Sequence, residues 1–190
     1  MPKITAPSVA EHRNQQREAL IREATRILLS EGPAAVTPRA VGSAVGLARS
    51  SVYEYFPSSG DLLAEVAIRA ILEWSTELTL AIEPAAPGWP RLEAYVRSTL
   101  LMVKEGKHEI ADRLEGVSFS DEQVERFMGH HDALSSPLPD IMAELEVHRP
   151  DLAGALAQGM VDAAVKRIAQ GEDVEVVTDA VLASLRHGFA

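Results

Sequence analysis

The sequence predicts an all-α protein: an N-terminal three-helix helix-turn-helix DNA-binding domain, then a larger helical domain. Three observations carry that expectation. From residue 17 to the C-terminal end, apolar residues recur three or four apart, and no segment alternates as a half-buried strand would. Residues 32–63, GPAAVTPRAVGSAVGLARSSVYEYFPSSGDLL, read as two short helices around a glycine turn. The breaks between helical segments carry Gly, Pro and Ser, such as EPAAPGWP at 83–90 and SSPLPD at 135–140.

Residues 1–16 are polar and read as a flexible N-terminal tail. Residues 17–31 place Leu20, Ala24, Ile27 and Leu28 on one helical face, and Gly32-Pro33 ends that helix. Thr37 is a good N-cap, because its hydroxyl can accept a bond from an orphan N–H of the first turn. Pro38 follows where a missing N–H costs nothing. Val41, Ala44 and Val45 point inward, and Gly46 supplies the left-handed turn. A second helix, roughly Ala48 to Tyr55, buries Leu47, Val52 and Phe56 beside it. Its outer face shows Arg49, Ser50, Ser51, Tyr53 and Tyr55. In DNA-binding versions of this motif the second helix enters the major groove. Arg suits bidentate contact to guanine, and Ser and Tyr hydroxyls suit phosphate oxygens. The competing reading is a solvated amphipathic hairpin whose tyrosines only pack.

These residues resemble the tetracycline-repressor (TetR) family of bacterial transcription regulators. The matching run is Arg17, Leu20, Ala24, Leu28, Gly32 and Thr37. It continues through Ala44-Val45-Gly46-Leu47 and Val52-Tyr53-Glu54-Tyr55-Phe56-Pro57-Ser58. The resemblance covers residues 17–66 and implies roles position by position. Thr37 and Ser51 contact phosphate. Arg39, Arg49 and Ser50 face base edges or the adjoining backbone. Tyr53 and Tyr55 pack against the sugar-phosphate chain. Three positions depart from the family pattern: Ala48 where Ser or Thr usually caps the recognition helix, Ser59 where a Lys often meets phosphate, and Gly60 in place of an acidic residue.

The 190 residues are 46% apolar, enough for a small head, residues 17–60, and a second domain, residues 61–190. The chain has no cysteine, which excludes disulfides, thiolate metal sites and cysteine nucleophiles. No apolar run approaches the ~20 residues that span a membrane, so a cytoplasmic protein is expected. The net charge of −10 is unevenly placed. Residues 1–70 hold eight Lys/Arg against seven Asp/Glu, and residues 71–190 hold ten against twenty-one. Arg39 and Arg49 must therefore supply local electrostatics for a near-neutral head.

In the second domain, Leu63 through Ala81 mark one long helix that continues from the head. Trp74, Leu78, Met102, Phe119, Phe127, Met128, His131 and Met160 put bulky, soft or polar groups on otherwise Ala/Leu faces. Such groups line small-molecule cavities, although they equally fill plain cores. Residues 151–169 carry two apolar stripes. Leu152, Leu156, Met160 and Ala163 make one; Ala157, Val161, Ala164, Val165 and Ile168 make the other. With Val181 and Leu185, the second stripe is expected to pair with its copy as a four-helix dimer interface; the alternative is two ordinary core helices of a monomer. The resemblance likewise implies a dimer through the last long helices and a small effector that releases DNA.

Other chemistry finds less support. His108 and Asp112 share a helical face, while His130 and His131 diverge by about 100°, so no metal site and no cofactor is assigned. There is no Gly-rich phosphate loop, nucleophile elbow or HExxH, and no enzyme is expected. The sequence reading is thus a homodimeric repressor, released from a palindromic operator by a small molecule. The alternative is a dimeric helical interaction or ligand-binding protein whose helix-turn-helix no longer binds DNA specifically.

Overall fold

A computed structural model describes residues 9–126, 128 and 137–188. All regular structure among them is helical. The elements are α1 (Val9–Glu31), a 3-10 turn (Pro33–Ala35), α2 (Pro38–Val45), α3 (Arg49–Tyr53), α4 (Ser59–Ile82), α5 (Trp89–Lys104) and α6 (Glu109–Leu114). They continue as α7 (from residue 121, described to 126), α8 (Pro137–Glu144), α9 (Pro150–Ala169) and α10 (Val174–Gly188). The chain divides into two compact units. One is Met1–Arg69 with Glu109–Glu125, and the other is Ala70–His108 with Arg126–Ala190.

The first unit corrects the expected tail. Helix α1 starts at Val9, so residues 9–16 are helical rather than flexible. Their polarity suggested a tail, but Glu, Arg and Gln are good helix formers and no Gly or Pro interrupts them. Gln16 also gives this turn a long-range anchor, because Tyr55 Oη donates to its Oε1 at 2.5 Å. Further along α1, Arg17 pairs with Glu65 at 2.8 Å and Glu18 with Arg69, which ties α1 to the first turns of α4.

Local chemistry sets the helix-turn-helix. Thr37 is extended, and its Oγ1 accepts the N–H of Ala40 at 3.1 Å. Gly46 ends α2 in the left-handed region at φ 77°, and Leu47 N–H closes back on Gly42 O at 2.8 Å. Val41, Val52 and Phe56 are buried with Leu20, Ala24 and Leu28, as the pattern predicts; Ala44, expected inside, is exposed. At Gly42, a Cβ would lie 2.8 Å from Val52 Cγ2 and 2.9 Å from Leu47 O. The close approach of α2 and α3 therefore needs glycine there.

The segment 109–125 also belongs to this unit, although it lies in the second domain by sequence. Ser120 and Gln123 form a reciprocal capping box at the start of α7. Gln123 N–H donates to Ser120 Oγ at 3.3 Å, and Ser120 N–H to Gln123 Oε1 at 2.9 Å. Gln123 Nε2 then donates to Asp61 Oδ1 at 2.8 Å, and Ser58 Oγ donates to Asp61 Oδ2 at 2.6 Å. One carboxylate thus joins α7 to the first turn of α4.

The second unit packs α5, α8, α9 and α10 around Leu92, Leu100, Leu138, Met142, Ala157, Val161 and Leu185. Gly154 lets α9 approach the start of α8, since a Cβ there would lie 3.2 Å from Pro139 N. Glu144 accepts Gly88 N–H at 2.7 Å and pairs with Arg91, closing the 83–88 break onto α8. Tyr95 is buried, and its hydroxyl donates to Gln158 Oε1 at 2.6 Å. Burial first, and the charge of Asp162 second, push its pKa well above the usual tyrosine value, so it stays neutral.

The two turn glycines should respond differently to substitution. Gly46→Ala meets open space and should cost about 1–2 kcal/mol, from the left-handed backbone alone. Gly42→Ala meets backbone and a buried methyl, so it should cost about 1–3 kcal/mol and also displace α3. Denaturant unfolding measures the two costs. Amide chemical-shift changes that spread through α3 only in Gly42→Ala would separate overpacking from backbone strain.

Candidate nucleic-acid interface

The face expected to meet DNA is solvent-accessible. Thr37, Arg39, Arg49, Ser50 and Tyr53 are exposed, and Ser51 is half-buried. Arg49 donates to Tyr53 Oη at 2.9 Å, with its guanidinium 5.4 Å from the ring centroid. The first turn of α3 thereby holds its arginine against the last. Thr37 spends its acceptor on the α2 cap, and its hydroxyl hydrogen remains to donate. Helix α3 has Ala48 at its N-cap and so no side-chain cap, as the residue type dictates.

Tyr55 behaves differently from Tyr53. It is half-buried and turned toward α1, where its hydroxyl is spent on Gln16. Arg13 lies over its ring at 5.5 Å and donates to Glu54 O at 3.3 Å. Tyr55 thus presents α1 to the end of α3 rather than standing alone as a contact. Sequence reasoning missed Arg13, because residues 1–16 read as tail. The Arg–x–x–Gln spacing, which puts both side chains on one helical face, was the available signal.

Charge pairing decides what this face offers. With segment 109–125 included, the first unit holds nine Lys/Arg against thirteen Asp/Glu, a net −4. Its total charge therefore cannot attract DNA. Arg17, Arg26 and Arg69 are paired with Glu65, Glu23 and Glu18. Among the described residues, Arg13, Arg22, Arg39 and Arg49 have no carboxylate partner. Cations without a carboxylate partner thus stand on α2, on α3 and on α1, with the exposed Glu54 directly after α3.

The expected pocket residues are not one group. Leu78 and Met102 are in the core of the second unit, with Trp74 packed against that core. Met160 and Met128 are exposed, Phe119 belongs to the first unit, and Phe127 and His131 lie outside the described residues. Trp74 instead meets His108 edge-on, with centroids 4.6 Å apart at 89°. Trp74 Nε1 and Thr99 Oγ1 are buried with no hydrogen-bond partner among the described residues. Buried polar groups are nearly always satisfied, so the indole N–H and the hydroxyl, like Arg91 Nε in the same unit, lack among the described residues a partner such groups usually have.

The expected interface residues are mostly internal. Ala157, Val161, Ala164, Val181 and Leu185 are buried within the chain's own core, and Val165 and Ile168 pack against it. The other stripe is the free one. On α9, Leu152, Leu156 and Met160 are 49%, 54% and 37% exposed, and on α10 Val176 is 69% exposed. Both stripes have helical spacing, so periodicity alone could not say which faces inward. A groove of about 340 Å³, lined by Leu145, Val147, Leu152 and Leu156, adjoins the exposed stripe. Among the described residues, no helix is long and apolar enough to cross a membrane.

Residues 20–66 match the family model described as bacterial regulatory proteins, tetR family. No curated protein matches the chain. Several solved structures share the fold. A protein of unknown function from a Rhodococcus species superposes with a TM-score of 0.78 at 17% identity, covering 92% of this chain and 95% of its own. The regulator FadR of Bacillus subtilis, in complex with stearoyl-CoA, gives 0.70 at 18% identity, covering 88% and 96%. The TetR-family regulator PfmR of Thermus thermophilus gives 0.64 at 20% identity, covering 87% and 96%.

Proposed function

We propose, on the premise that the chain belongs through its N-terminal head to the tetR family of bacterial regulatory proteins, that it is a homodimeric, sequence-specific DNA-binding transcription regulator. It acts as a repressor that leaves a palindromic operator when a small molecule binds its body. The observation that carries this reading is the exposed α2–α3 face. Arg39 and Arg49 stand there without carboxylate partners among the described residues, and Tyr53 pre-positions Arg49. Arg49 and Ser50 read base edges, while Thr37 and Ser51 hold phosphate.

The dimer contact is the exposed stripe of α9 with Val176 of α10. An apolar row of this size is unusual on a lone soluble chain and fits a two-fold copy of itself. Two heads would then lie about one DNA turn apart or more, roughly 34–36 Å per turn, which calls for a palindrome. The effector is an apolar molecule with at least one hydrogen-bond acceptor, which takes the buried Trp74 Nε1–H. The stearoyl-CoA held by B. subtilis FadR supports a ligand with an apolar portion. The effector favours one body conformation, and α4, which begins in the head unit and ends in the body unit, carries the bias to the head.

A second reading has two observations in its favour. Helix α3 lacks a side-chain cap, and Ser59 offers no cation at the start of α4. A head so altered would serve a dimeric interaction or ligand-binding protein without specific DNA binding.

Three measurements test these points. In gel shifts with the DNA just upstream of the gene, the wild-type chain should form a salt-sensitive specific complex, and Arg49→Glu should abolish it with the fold intact. An Arg49→Glu protein that binds as wild type would favour the second reading. Leu156→Glu should convert a dimer near 40 kDa to a monomer near the 20.5 kDa chain mass on light scattering, without loss of helicity. Val161→Asp should instead unfold the second unit, because Val161 is internal. In a Trp89→Phe background, Trp74 fluorescence should shift on binding long-chain acyl compounds; a flat response across a broad apolar panel would remove the effector site from this position.

A further inference from the structure

We propose that Arg13 is a DNA-backbone contact, held by Tyr55 beside the exit of α3, where it neutralises a phosphate next to the recognition helix. The inference rests on the DNA-reading function above and adds a contact that lies outside the helix-turn-helix.

The arrangement is built from both chain segments. The Arg13 guanidinium lies 5.5 Å from the Tyr55 ring centroid, and its Nη2 donates to Glu54 O at 3.3 Å. The ring cannot drift from Arg13, because Tyr55 Oη donates to Gln16 Oε1 at 2.5 Å, one helical turn along α1. An arginine normally loses much side-chain freedom on binding phosphate. Here the ring and the carbonyl have already fixed it. A guanidinium has five N–H donors, and the described contact to protein uses one, so the remainder can meet a phosphate in a bidentate way.

The charge is also available. Arg13 is exposed and has no carboxylate partner among the described residues. Arg17, on the next turn, is spent on Glu65 at 2.8 Å. Arg22 is exposed too, but nine residues on it points about 180° away around α1. Arg17 also lies over the Phe56 ring, so Arg13 is the α1 cation at the exit of α3 that has no carboxylate partner among the described residues. From Arg49 to Glu54 the backbone rises about 7–8 Å, and the side chains extend beyond it. Two tyrosine-held arginines, Arg49 on Tyr53 within α3 and Arg13 on Tyr55 just after it, place two cations beside a helix of the size that occupies a major groove ~12 Å wide.

The test uses the full-length chain and random-sequence duplex DNA, with fluorescence anisotropy between about 50 and 200 mM salt. Arg13→Ala should make the log–log salt slope shallower by about 0.9, the share of one phosphate. It should weaken random and upstream DNA by the same factor, since a phosphate contact carries no sequence information. Arg13→Lys should restore the slope, and the thermal unfolding midpoint of both variants should match wild type. An Arg13→Ala slope equal to wild type would overturn the inference while leaving the DNA-reading function intact. A slope that Arg13→Lys does not restore would make the role of Arg13 structural and overturn it as well. A wild-type chain that binds neither DNA at low salt would remove the function itself, and this contact with it.

Discussion

The close approach of α3 to α2 at Gly42 is the constraint on which the site depends. Val52 and the carbonyl of Leu47 occupy the space that any Cβ at residue 42 would need. With Val52 seated there, helical geometry turns Ser50 to the opposite side and leaves Arg49 and Tyr53 on one flank, where both are exposed. Gly46, at φ 77°, makes the turn short enough for that seat to be reached, and Thr37 fixes where α2 begins. A buried valine, a left-handed glycine and a cap together decide which side chains can face a nucleic acid.

Electrostatics then works by pairing rather than by total charge. The unit that carries the head is net acidic, yet acids on α1 and α4 are engaged with Arg17, Arg26 and Arg69. The acidic segment 109–125 is anchored through Gln123 to Asp61 at the start of α4. Arg39, Arg49 and Arg13 keep their full charge near α2 and α3. At physiological salt the Debye length is about 8 Å, so a polyanion at this face would respond to these cations and to the neighbouring Glu54 more than to acids farther away. A net charge of −10 for the chain and a DNA-facing surface are thus compatible.

Where local chemistry decides, the sequence is legible. Thr37, Pro38, Gly46 and the capping box of Ser120 with Gln123 state their own backbone conformations, and the helices form where these residues require. The family resemblance drawn from residues 17–66 agrees with the match at 20–66. Where tertiary partners decide, the sequence is silent. Tyr55 turns toward α1 because Gln16, 39 residues away, accepts its hydroxyl. Residues 9–16 read as a tail because their anchors lie at Glu54 and Tyr55. The two stripes of α9 are equally apolar and equally periodic, so only the packing of α5, α8 and α10 shows that Val161 is inside and Leu156 outside. Trp74 and Thr99 emerge as unmatched polar groups in the body only once their burial is seen.

On the proposed function, the α2–α3 face reads sequence and does more than attract a polyanion. The most direct test is the ratio of two affinities of the full-length protein, at one fixed salt concentration. One is for genomic fragments recovered by repeated selection, and the other is for random-sequence duplex of the same length. A reading head should prefer the selected fragments by about 10³-fold or more, with a shared palindrome among them. A ratio near one, with no common motif in the recovered fragments, would contradict the account.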